Sequence, residues 1–104
     1  MRRSAALIPA IVLAAAAQQI DRKLQNEFDE VSSKAEAMIE TVNAMEQRAR
    51  DNGDLINPGI LERRALLQSS IRRAEEALRS GDAQALREQL VRARGHLEKL
   101  SHMI

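Results

Sequence analysis

The run from Ile20 to Asn52 constrains this chain more than any other stretch. Its apolar positions are Ile20, Leu24, Phe28, Val31, Ala35, Met38, Val42 and Met45, stepping by three or four residues each time. That rhythm draws one narrow stripe along a long helix, close to a coiled-coil seam. Alternation with a period of two fails throughout, so a strand is not a serious competitor. The opposite face is charged, with Lys23→Glu27 and Glu30→Lys34 spaced for i,i+4 pairing. Neither Pro nor Gly interrupts the run before Gly53, a natural residue for closing a helix. A helix with one apolar stripe needs partners to cover it.

The downstream sequence supplies them. Asn57 suits an N-cap and Pro58 the first helical position, and the stripe that follows is Ile60, Leu67, Ile71, Ala74 and Leu78, with Arg64 in the missing step. Leu61 and Leu66 widen that face, and Arg72→Glu76 and Glu75→Arg79 suit pairs on the outside. Gly81 closes this helix and Asp82 caps the next, whose stripe is Leu86, Leu90, Ala93, Leu97, Leu100 and Ile104. Glu88→Arg92 and Arg94→Glu98 again suit its surface. Connections this short force antiparallel neighbours. The sequence therefore predicts an all-α, antiparallel three-helix bundle, with helices near 5–52, where Pro9 allows a bend, 58–80 and 82–102. The N-terminal helix is long and protrudes. Leu67, Ile71, Leu78, Leu86, Leu90, Leu97, Val42 and Met45 line the expected core.

Residues 1–19 form a separate unit ahead of a bundle spanning 20–104. Arg2 and Arg3 precede Ala5–Ala17, a run without a charged or polar side chain that ends in alanines before Gln18. This is the layout of a secretory signal peptide, and it is short for a bilayer-spanning helix. An Ala-rich helix packed on protein has the same composition. The two alternatives are a cytoplasmic chain, or an exported or membrane-tethered one that contacts the membrane through residues 5–17.

Composition removes several functions. There is no Cys among the 104 residues, so thiolate catalysis, disulfides and Cys lipidation are excluded. The net charge is +1, with acids concentrated before Asp54 and arginines after it. Phe28 is the only aromatic residue, so a nucleic-acid surface would lack stacking platforms. No nucleic-acid partner is expected. His96 and His102 are six residues apart and do not share a helix face as an i,i+4 metal pair would. Ser32 and Ser33 have no His nearby in sequence. Glu36 and Glu40 stack at i,i+4 without the Glu-x-x-His of di-iron bundles. Met38 and Met45 lie on the stripe and read as core. No glycine-rich phosphate loop is present. The expectation is a protein that is not an enzyme and carries no cofactor and no metal.

Two segments resemble a known family. Asp21-Arg22-Lys23-Leu24, followed by Ala35-Glu36-Ala37-Met38-Ile39-Glu40-Thr41, is similar to the long helix of the C-terminal lid in DnaK-type chaperones, the seventy-kilodalton heat-shock family. Ser80-Gly81-Asp82-Ala83-Gln84-Ala85-Leu86 resembles the Gly-Asp turn joining the last lid helices. The likeness runs from about Gln18 to Leu100 and implies a lid-like, non-catalytic module of a chaperone substrate-binding domain. It implies contact with unfolded protein or with a chaperone β-domain. The family's nucleotide-binding and β-sandwich domains have no counterpart in this sequence. Where that family lays an amphipathic helix on its β-domain, Leu7, Ala10, Ile11 and Ala14 fit the apolar side, whereas Ile8, Val12 and Leu13 fall at polar positions. Partner contact, including self-association, is expected through Leu7, Ile11, Ile20, Leu24, Phe28 and Val31.

Overall fold

The computed structural model describes residues 20–104. Three helices account for most of them: α1 (Arg22–Asp51), α2 (Pro58–Ser80) and α3 (Ala83–Met103). At 30, 23 and 21 residues, α1 is the longest. It extends about 45 Å at 1.5 Å per residue. The described residues form the all-α three-helix bundle that the stripes require.

The helix ends follow from local chemistry. Asn57 Oδ1 accepts from the Gly59 amide at 2.9 Å ahead of Pro58. α1 closes through Gly53 at φ +72°, with Asp54 N–H donating to Ala49 O at 2.7 Å and Gly53 N–H to Arg50 O at 3.1 Å. The left-handed glycine lets the chain turn back and satisfy carbonyls that the helix end would leave open. α2 closes the same way through Gly81 at φ +75°, with Asp82 N–H on Ala77 O at 2.9 Å. The Asp82 side chain then accepts from Ala85 N–H at 3.0 Å. One residue thus ends α2 with its amide and starts α3 with its carboxylate.

Cross-helix contacts fix the directions. Arg64, near the start of α2, reaches Asn43 and Glu46, near the end of α1. A side-chain carbon placed on Gly59, at the start of α2, would lie 3.1 Å from Met103 Cε, at the end of α3. Each neighbouring pair therefore runs antiparallel.

One core joins the three helices. Val42, Leu67, Leu86, Leu90 and Leu100 are its largest fully enclosed side chains. Small residues share the interior: Ala35, Ser70, Ala74, Ala77, Ala83 and Ala93. Short side chains at a helix contact let the axes approach closely. The buried line of α2 is Ile60, Leu67, Ser70, Ala74 and Ala77, rotated slightly from the expected one. Ile71, Leu78, Leu97 and Met45 consequently pack around the centre as partly buried residues. Leu66 does not widen the apolar face, being 41% exposed. Ile104 lies past the last turn and is exposed, leaving the α3 stripe one residue short.

Two expectations about the first helix need correction. A single helix from residue 5 is not what the described residues form, because α1 begins at Arg22. Asp21 sits in extended backbone (φ −83°, ψ 175°) and accepts from the Leu24 amide at 2.8 Å. A capping aspartate is the alternative that competes with helix continuation. Nor does the stripe before Val31 protrude. Leu24, Phe28 and Val31 are buried in the same core as Leu86 and Leu90. The α2–α3 hairpin reaches this end of α1, where Arg94 lies 3.9 Å from Glu27.

Candidate functional site

Two grooves on this bundle combine apolar floors with charged rims. The larger lies where α1 ends and α2 begins, and encloses about 490 Å³. Glu46, Ala49 and Arg50 of α1 form one wall, and Pro58 and Leu61 of α2 the other. The connecting loop, Asp54–Asn57, closes the end. The glycine closure of α1 and the Asn57 cap of α2 leave few residues to bridge the turn. Within them Ile56 tucks against the core, while Leu55 is 97% exposed. Met103 and Ile104 at the end of α3 are exposed on the same end of the bundle. Leu55 is the one of these exposed residues that lines the groove, and an exposed apolar side chain at a groove suits a contact surface.

The charges beside this groove are held in place. Arg64 Nη1 donates to Asn43 Oδ1 at 2.6 Å and to Glu46 Oε1 at 3.0 Å. Arg50 approaches the other Glu46 oxygen at 3.9 Å. Arg64, which interrupts the α2 stripe, therefore joins α1 to α2 through a polar contact at the core's edge.

The smaller groove, about 250 Å³, runs between α1 and α2 nearer their middles. Ala35, Ile39 and Ile71 form its floor, and Glu36, Glu40, Glu75 and Ser32 its edges. Ile39 and Ile71 are half-buried, and all three glutamates are exposed.

The chemistry-bearing residues are dispersed. His96 Nδ1 lies 3.0 Å from Arg63 Nη1. Since the guanidinium can only donate, the ring nitrogen accepts and the imidazole is neutral. Burial lowers the His96 pKa first, and the cations of Arg63, Lys99 and Arg92 lower it further. His102 is exposed in the last turn of α3. Gln89 Oε1 is buried with no hydrogen-bond partner among the described residues. Among the described residues, no three of His, Cys, Asp and Glu stand close enough together to hold a metal ion. No helix of the described residues is long and apolar enough to cross a membrane.

The six expected contact residues separate into three groups. Leu24, Phe28 and Val31 are interior. Ile20 is half-buried against the core. Leu7 and Ile11 lie outside the described residues, as does the whole segment 1–19 with its export alternative. Met38 and Met45 pack against the core, consistent with their place on the stripe. The sequence pattern does not single out the groove at the α1–α2 turn. Its signal in the sequence is the apolar pair Leu55-Ile56 inside a connection that is otherwise polar.

No protein family, curated protein or solved structure matches this chain.

Proposed function

We propose that this chain is a non-catalytic helical module that acts by contacting other proteins, in the manner of a chaperone lid. The observation that carries the reading is the apolar groove at the α1–α2 turn with Leu55 projecting beside it. An unpaired leucine held out by two well-capped helices is a natural anchor for an apolar partner segment. The order of elements supports the lid comparison: long helix, loop, helix, Gly81-Asp82, helix. Clients and a chaperone β-domain are the partners this reading implies, and the cytoplasm is its compartment. With Leu24, Phe28 and Val31 enclosed, contact falls to the turn groove and to Ile20. The test is suppression of light scattering by an aggregating, chemically unfolded reporter protein. The full chain should slow aggregation, and Leu55→Asp should weaken the effect. Equal suppression by both, or none by either, would sink the reading.

The basic pair and apolar run of residues 2–17 favour a second reading, an exported or membrane-tethered helical protein that pairs with a partner helix. N-terminal sequencing of natively produced protein separates the two. A start at Gln18 supports export, and intact Arg2-Arg3 supports the lid-like module.

A further inference from the structure

We infer that the chain's own N-terminal segment, Arg2 to Gln19, docks back along the smaller α1–α2 groove. The occupant is argued from charge, reach and direction. The groove has an apolar floor of Ile39, Ile71 and Ala35 under three carboxylates, Glu36, Glu40 and Glu75. Among the described residues, none of the three carboxylates lies within 4.0 Å of a basic nitrogen. The N-terminal segment has the complementary make-up: two arginines followed by an uncharged apolar run. Arg3, Leu7, Ala10, Ile11 and Ala14 share one side at helical spacing, so a cation and an apolar stripe face the same way.

Reach matches as well. Glu36 and Glu40 lie 15 and 19 residues beyond Asp21 along α1, about 22 and 28 Å. Arg3 lies 18 residues before Asp21, about 27 Å of helix. Extended chain ahead of Pro9 would reach farther. A segment laid back along α1 therefore brings Arg2 and Arg3 level with the carboxylates. Direction is allowed because α1 does not run on through Asp21. The extended backbone there is where the chain can reverse. The docked segment covers Ile39 and Ile71 and withdraws Leu7 and Ile11 from outside partners. This contact is independent of the turn groove and of any partner bound there.

The absence of Cys makes a clean probe possible. A nitroxide on Ser4→Cys, in the full chain, reports proximity by loss of amide NMR intensity. Amides of residues 32–40 and 71–75 should lose most of their intensity. Reversing Arg2→Glu and Arg3→Glu should restore it. Adding Glu36→Arg, Glu40→Arg and Glu75→Arg to that reversed segment should bring the loss back. Undiminished signals in the parent, or a loss indifferent to both reversals, would overturn the docking. A mixture of nitroxide-bearing chain with isotope-labelled, nitroxide-free chain tests the intrachain claim. Loss in the mixture would put a second copy's segment in the groove and overturn it, while loss confined to the doubly labelled chain supports it. Native protein beginning after Ala17 would also overturn it.

Discussion

Arg63 on α2 and His96 on α3 meet at 3.0 Å, guanidinium Nη1 against imidazole Nδ1. The contact joins two helices only while the imidazole is neutral. A proton on Nδ1 would remove the acceptor and set two cations face to face, with Arg92 and Lys99 of α3 adding to the repulsion. The folded-state pKa of His96 is accordingly below its ordinary value.

This gives stability a definite pH dependence. The folded pKa is depressed, so below about pH 6.5, the value of an unperturbed histidine, the unfolded chain binds the proton more readily than the folded one. Stability is therefore fully present above that pH and declines as pH falls through the folded pKa. Thermal unfolding should show a lower Tm at pH 5.5 than at pH 7.5. His96→Gln keeps an acceptor for Arg63 without a titration and should flatten the difference. An equal drop in parent and variant would assign the effect to other groups.

Core position sets a second contrast. Leu90 is 1% exposed and Leu66 is 41% exposed, although both are leucines on amphipathic helices. Leu90→Ala should cost about 2–5 kcal/mol, the transfer term plus the cavity left behind. Leu66→Ala should change stability by less than about 0.5 kcal/mol, as surface substitutions do. Urea unfolding of both variants measures the difference. Similar values for the two would place the α2–α3 register elsewhere.

That contrast also marks what the sequence makes legible. Helix order, and every end but the start of α1, follow from strong local signals: Asn57-Pro58 at one start, Gly53 and Gly81 at two ends, Asp82 between α2 and α3. The exact buried face of a helix is a tertiary property. α2 touches two partners, and the small residues Ser70, Ala74 and Ala77 take enclosed positions while Ile71 and Leu78 stay partly buried. A stripe of large residues cannot show that rotation. Side-chain pairing was harder still. Glu30–Lys34 closes at 3.0 Å as its spacing suggests, but Arg94 turns from Glu98 toward Glu27 on another helix. The turn groove depends on how two caps aim the loop between them, and no periodicity encodes that.

Arg64 carries the third prediction. Its side chain is 18% exposed and bonds Glu46, itself 27% exposed, at 3.0 Å. A pair so placed is neither fully screened nor fully desolvated. A double-mutant cycle over Arg64→Ala and Glu46→Ala should give a coupling of about 1 kcal/mol, the upper end for surface ion pairs. The coupling should shrink as salt is raised. A coupling near zero at low salt would mean that Asn43 alone holds Arg64.

Two glycines should respond to alanine with opposite signs. Gly81 ends α2 at φ +75°, a region that L side chains rarely enter. Gly81→Ala strains that closure and should destabilise by about 1 kcal/mol. The loss reaches α3 too, since the Asp82 cap depends on the same turn. Gly95 lies inside α3, and a side-chain carbon there would meet nothing within 4 Å. Gly95→Ala removes conformational freedom from the unfolded chain and adds helix propensity, so it should stabilise by about 0.5–1 kcal/mol. Denaturant midpoints of the two variants decide the matter. Destabilisation by Gly95→Ala would mean that the exposed side of α3 is already covered by another part of the protein or by a second copy.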